Sequence, residues 1–272
     1  MRGEDRRSPT AAMGSWALRF LLSSALLGGA SFGDLEADGG WHTDHATQMV
    51  GKGSCNVEVR DSLTYSEFIH RYAYSRPVIL RGFTQNEHFR ALCSKQRLLQ
   101  KFGNHLVRLS TANTYSYQKV DVPFKEYVEH IMKPQSLDSL GSDTLYFFGD
   151  NNFTEWDSLF RTYIQPPYQL PGTKAAYSFG IAGSGTGVPF HWHGAGYSEV
   201  LYGRKRWFLY PPDKTPKFHP NRTTLSWMLD TYPYLPEMDK PLECTIHPGE
   251  DEHKVKSHGF TQSIFLQPSV NQ

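Results

Sequence analysis

The sequence predicts a mainly β domain with helices gathered towards its N-terminal end, an α+β arrangement. Three observations predict it. Short runs of aliphatic and aromatic residues, such as Pro77–Arg81 and Thr144–Phe148, are punctuated by glycine and proline. Aromatics make up 14% of the residues and there are 17 prolines, a balance that favours strands and turns over long helices. The chain has 272 residues, 39% of them hydrophobic, which suits one domain of about 200–250 residues. The formal net charge of +1 supplies no field for nucleic acid, so that class of partner is excluded. No internal repeat is visible.

Residues 1–33 read as a secretory signal or an uncleaved signal anchor. Arg2, Arg6, Arg7 and Arg19 bring positive charge, Phe20–Ala30 is apolar, and Ala30, Ser31 and Gly33 are small. The run is short of the ~20 apolar residues of a comfortable membrane span, so a membrane contact is expected only through such an anchor. Two sequons, Asn152-Phe153-Thr154 and Asn221-Arg222-Thr223, agree with a secretory route and mark Asn152 and Asn221 for glycosylation. Residues 34–55 are polar and glycine-rich and read as a flexible linker. The cysteines Cys55, Cys93 and Cys244 are odd in number and form no C-x-x-C. Either one pair bridges in an oxidising compartment, or all three are buried thiols; sequence does not choose the pair.

A folded domain is expected over 56–250. Thr64-x-x-Glu67 has the form of a capping box before a helix with Phe68, Ile69 and Tyr72 on one face. Arg76-Pro77 ends that helix, and Pro77–Arg81 follows as a strand. Phe89–Phe102 reads as one helix stopped at Gly103. His105–Ser110 is a strand, Pro123–Met132 a helix opened by proline, and Thr144–Phe148 a strand. A strand over Ala175–Ile181 leads into Gly183-x-Gly185-x-Gly187, a turn needing positive φ. No helix with Lys-Ser/Thr follows, so this is not a phosphate loop. After Pro212 the chain is proline-rich, with a short helix near Thr224–Leu229 and a strand over Leu242–Ile246.

The chemistry concentrates in Val188–Pro212, V-P-F-H-W-H-G-A-G-Y-S-E-V-L-Y-G-R-K-R-W-F-L-Y-P-P. On a strand, positions i and i+2 share a face, so His191 and His193 point one way and Trp192 the other. Two imidazoles suit a transition metal, iron, zinc or nickel alike; the plainer alternative is two histidines hydrogen-bonded to their neighbours. Gly203 sits between two aliphatic and aromatic runs, a hairpin signal. Lys205, between Arg204 and Arg206, is either a cation for a carboxylate ligand or part of a solvated basic turn.

The block 203–212, placed after a paired-ligand strand, resembles the jumonji C (JmjC) family, most of all its endoplasmic-reticulum member, over roughly Leu63 to Glu250. The resemblance implies a jumonji/cupin double-stranded β-helix that uses Fe(II) and 2-oxoglutarate. It implies an H-x-D/E pair on one strand, a distal His near the C-terminus, and a lysine for the 2-oxoglutarate carboxylate. His191 and Lys205 match; His193 stands where the family has a carboxylate. Val188 stands where several relatives place a threonine hydroxyl. From Asp251 the pattern breaks, and 251–272 reads as a divergent tail, so the final strands are expected to be incomplete and one sheet edge exposed. His247, His253 and His258 are poor matches to the distal ligand. Two functions follow from the resemblance. One is a lumenal JmjC-fold protein with a degenerate metal site that regulates protein partners, in inflammatory signalling and energy metabolism. The other is an Fe(II)/2-oxoglutarate-dependent protein hydroxylase.

Overall fold

The computed structural model describes residues 38–41, 55–114, 118–148, 153–172, 177–254, 259–265 and 269–271; for Phe153 and the residues after Glu250 it describes the backbone alone. The leader at 1–33, Asn152 and His258 lie outside the described residues.

Among the described residues thirteen strands form two sheets. They are β1 (Glu58–Arg60), β2 (Val78–Arg81), β3 (Leu106–Thr111), β4 (Lys119–Pro123), β5 (Leu145–Phe148), β6 (Gly180–Ala182) and β7 (Gly187–His193). Then come β8 (Gly196–Tyr202), β9 (Lys205–Leu209), β10 (Leu242–Ile246), β11 (Glu250–Lys254), β12 (Gly259–Phe265) and β13 (Ser269–Asn271). The larger sheet runs β1-β2-β11-β8-β13-β6-β5-β3-β4, and the smaller runs β10-β9-β12-β7. From β7 onward the chain mostly alternates between them: β7 lies in the smaller sheet, β8 in the larger, β9 in the smaller.

That alternation corrects the hairpin expected at Gly203. Gly203 does turn the chain, at φ 77°, but β8 pairs with β11 and β13 whereas β9 pairs with β10 and β12. The turn carries the chain across from one sheet to the other. Apolar alternation either side of a glycine looks the same for both connections.

The α-helices among the described residues are α1 (Tyr65–Glu67), α2 (Glu87–Leu92), α3 (Lys95–Phe102), α4 (Phe124–Glu126), α5 (Phe153–Phe160) and α6 (Thr224–Asp230). The capping box forms as expected. Thr64 Oγ1 accepts from Glu67 N at 3.1 Å, and Thr64 N donates to the Glu67 carboxylate at 2.9 Å. Both α1 and α4 widen into a π-helical turn, Phe68–Tyr72 and Tyr127–Ile131. The single helix expected over Phe89–Phe102 breaks at Ser94, whose ψ of 146° is extended. Lys95 N, at the start of α3, donates to Gly39 O at 2.8 Å, a partner from far up the chain.

Gly39 belongs to a segment, 34–55, read as flexible linker; for Asp38–Trp41 that reading is corrected, and residues 34–37 and 42–54 lie outside the described residues. Asp38–Trp41 is docked: Trp41 is buried and its Nε1 donates to Cys93 O at 3.0 Å. The backbone lies so close to Tyr202 that a Cβ on Gly39 would sit 2.5 Å from Cζ of that ring. The main core gathers Trp41 with Phe89, Phe102, Phe124, Phe147, Trp156 and Phe179 between the helices and the larger sheet. Trp156 is its centre, stacked on Phe102 at 4.3 Å and edge-on to Phe124 at 5.3 Å.

The final strands, expected to be incomplete, are present along the backbone. β11 lies between β2 and β8, β12 between β9 and β7, and β13 between β8 and β6. The expectation of an exposed edge rested on the charged D-E-H-K opening of the tail. A sheet ladder is made by backbone N–H and C=O groups, which that sequence supplies as well as an apolar one.

Removing the central indole should open the largest hole in this core. Trp156→Ala is expected to cost about 3–5 kcal/mol in urea unfolding, whereas Trp192→Ala, on a half-exposed ring, should stay within about 0.5–1 kcal/mol.

Candidate functional site

β7 contains a bulge. Thr261 pairs with His191 but Ser263 pairs with Val188, so Pro189 and Phe190 together face the single residue Gln262. Proline needs no donor partner at such a place. The bulge resets the alternation. Phe190 packs against Trp227 of α6 at 5.0 Å, so His191 and His193 turn to the opposite face, towards the larger sheet. Val188 packs there too, against Ala112, Tyr146 and Ala182.

The two imidazoles do come together, with ring centroids 5.8 Å apart and planes at 59°. His191 Nδ1 lies 3.0 Å from Pro189 O, and His193 Nδ1 lies 2.7 Å from Gly194 O. A carbonyl only accepts, so in the neutral tautomers Nδ1 carries the proton and Nε2 the lone pair. That is the tautomer in which an imidazole ligates through Nε2 while its other nitrogen is held by backbone. The pair therefore fits two metal bonds. His193 brings no negative charge and is exposed at the end of its strand. Among the described residues no group of three or more His, Cys, Asp or Glu converges as a metal site. The described side chains therefore do not fit the 2-His-1-carboxylate set that non-haem Fe(II) requires. His247 lies at an exposed turn, and His253 lies on β11, with its backbone opposite Tyr197 and Val78.

The basic turn is not solvated. Lys205 is 2% exposed and Arg206 is 6% exposed. As neighbours on β9 they take opposite faces. Lys205 points inward, with Nζ 4.0 Å from the Trp207 ring centroid and 5.1 Å from that of Phe148 on β5. Aromatic faces attract the ammonium, and an anion entering here would meet a cation with little competing water. Arg206 points outward. Its Nε and one terminal nitrogen both donate to Glu243 Oε2, at 3.1 and 2.5 Å, and its guanidinium lies 4.9 Å from the Phe208 ring. Tyr232 donates to the other oxygen of Glu243 at 2.5 Å, and burial together with that bond pushes its phenol up to about 12.

Sequence reading missed one charged group of this block. Glu199, on β8, is 4% exposed. Its carboxylate accepts from Asn86 Nδ2 at 2.9 Å, Tyr163 OH at 2.8 Å and Thr84 Oγ1 at 3.4 Å. Burial pushes its carboxyl above the usual range, against the pull of those hydrogen bonds. Nothing local signals it, because its partners lie far off in the chain.

Of the cysteines, Cys55 and Cys244 form a disulfide and Cys93 is a buried thiol. Asn221 is pinned: Ser142 N donates to its Oδ1 at 2.9 Å, and its Nδ2 donates to Ser142 Oγ at 3.2 Å. Thr223, the hydroxyl residue of that sequon, is buried as the N-cap of α6.

Two sheets exchanging consecutive strands, with a histidine pair on one and a buried lysine between them, define a JmjC/cupin domain. The chain is 63% identical over 234 residues to human JmjC domain-containing protein 8, spanning 86% of this chain and 87% of that protein. It is 31% identical over 240 residues to Lysine-specific demethylase JMJ21 of Arabidopsis thaliana, spanning 79% of this chain and 24% of that protein. The solved structure of Escherichia coli YcfD superposes with a TM-score of 0.50 at 16% identity, over 78% of this chain and 52% of that one, which speaks for the fold alone. No family model matches the chain. The chain belongs to the JmjC family, alongside JmjC domain-containing protein 8.

Two outcomes test this electrostatic reading. Glu243→Ala leaves the Arg206 guanidinium buried without its carboxylate and should cost about 3–5 kcal/mol by urea denaturation. For Glu199 the sign follows from its raised value. The folded state holds this proton more tightly than the unfolded state, so the contribution to stability falls as pH rises from the unfolded value to the folded one. Glu199→Gln removes that loss, and the stability of the variant relative to the parent should rise as the pH is raised above the ordinary carboxylate range.

Proposed function

We propose that this chain is a lumenal JmjC-fold interaction protein, acting through protein partners rather than through an iron-centred reaction. The observation that carries the reading is His193: an exposed imidazole stands where an anionic metal ligand is needed. Support for a partner surface comes from the segment after α6, where Tyr234 is 82% exposed and Met238 is 81% exposed. Support for the secretory pathway comes from the Cys55–Cys244 disulfide, which persists in oxidising compartments. The leader and the sequons point the same way. We carry the regulatory role in inflammatory signalling and energy metabolism over from the resemblance to the endoplasmic-reticulum member.

A second reading, a protein hydroxylase using Fe(II) and 2-oxoglutarate, is favoured by the buried Lys205. An ammonium held among rings is suited to a ligand carboxylate. The Arabidopsis relative is named a demethylase, and YcfD is described as a ribosomal oxygenase.

Thermal unfolding with Mn(II), 2-oxoglutarate or both separates the two. A ligand that binds the folded state raises the midpoint by mass action. The interaction reading expects no rise that requires both additives. A joint rise that vanishes in Lys205→Ala would sink it in favour of the hydroxylase. For the location, the full chain from cells should shift on non-reducing gels when thiols are blocked before reduction, and Cys55→Ser should abolish that shift. A fully reduced cellular pool would count against the lumen.

A further inference from the structure

The two sheets both end where the disulfide lies. β1 is an edge of the larger sheet and β10 an edge of the smaller. Just before β1, Asn56 clasps β10: its N donates to Glu243 O at 3.0 Å, and its Oδ1 accepts from Glu243 N at 2.7 Å. The disulfide joins the residues beside each of these, Cys55 and Cys244, across 189 positions of sequence. Its two halves differ in access. Cys55 is exposed, whereas Cys244 is 3% exposed and packs with Val57 and Ile79.

We propose that Cys55–Cys244 is a thiol-exchange site, entered at Cys55, that latches the edge of one sheet to the edge of the other. Its reactant is a small thiol or the dithiol of an oxidoreductase. The incoming thiolate attacks Cys55 Sγ and forms a mixed disulfide. The Cys55–Cys244 bond breaks, its electron pair goes to Cys244 Sγ, and that sulfur takes a proton from water. A second thiolate attacks the incoming sulfur, the mixed disulfide breaks, and Cys55 Sγ takes its electron pair and a proton from water. The reductant departs as its own disulfide, so two electrons have moved to the protein. Opening is local. Cys244 remains on β10, which keeps five register pairs with β9, and β1 keeps three with β2. What is released is the Asn56 clasp. Burial of Cys244 bars an outside thiolate from its sulfur, so access directs the attack to Cys55.

The test uses the full chain. It is held in graded reduced glutathione, quenched with an alkylating agent, and mapped by peptide mass spectrometry alongside hydrogen exchange. The glutathionyl group is expected on Cys55 over Cys244 by about tenfold or more. Exchange should rise over residues 55–60 and in β10 while β5 stays protected. As a second arm, native Cys244→Ser should alkylate at Cys55 about tenfold faster than native Cys55→Ser does at Cys244. Adducts chiefly on Cys244, equal alkylation rates, unchanged exchange at the two edges, or loss of all protection on reduction would each overturn the proposal.

Discussion

Two adjacent cations buried on one strand constrain this fold more than any other feature. Lys205 and Arg206 occupy consecutive places on β9, so the strand must be sheathed on both faces by groups that accept positive charge. Inward, the sheath is aromatic, Trp207 beside the lysine and Phe148 across the gap between sheets. Outward it is ionic, with Glu243 from β10 and the phenol of Tyr232. Neither sheath works without the other, because the strand cannot shift register by one residue without exchanging them. β9 is thereby fixed between β10 and β12, and the long proline-rich excursion between β9 and β10 is tied down through α6 and Tyr232.

The same strand links chemistry to architecture. Trp207, which covers the Lys205 ammonium, is the cross-strand partner of Cys244. The pocket, the outer ion pair and the covalent link between sheet edges are thus neighbours within a few residues of each other. The histidine pair lies across β12 from β9, His191 level with Leu209 through their shared partner Thr261. Two paired imidazoles and a buried lysine match parts of the site the resemblance implies. The anionic corner is what position 193 lacks.

Much of this was legible in the sequence, for reasons that are local. Thr64 and Glu67 satisfy each other's neighbouring backbone within one turn, so four residues suffice to announce the start of α1. His191 and His193 share a face because two-residue periodicity holds over so short a span. What stayed hidden depends on distant partners. Ser94 breaks a helix whose apolar spacing is continuous, and α3 begins on a bond to Gly39. Glu199 looked like an ordinary strand carboxylate, since Asn86 and Tyr163 reach it only in the folded chain. The bulge at Pro189 and Phe190 is defined by its count against β12, and the crossing at Gly203 by which sheet each flank joins. The tail after Glu250 was judged by its side chains, whereas its place in the sheets is set by backbone pairing.

The docking of Asp38–Trp41 moves the working boundary of the domain. A fragment begun at residue 56, where the apolar patterning starts, would forfeit Trp41 from the main core and Cys55 from the disulfide together. Such a truncation would leave an unfilled hole in that core and an orphaned thiol at Cys244. Asp38–Trp41 is therefore part of what folds, and removing it is a core mutation rather than the trimming of a tether.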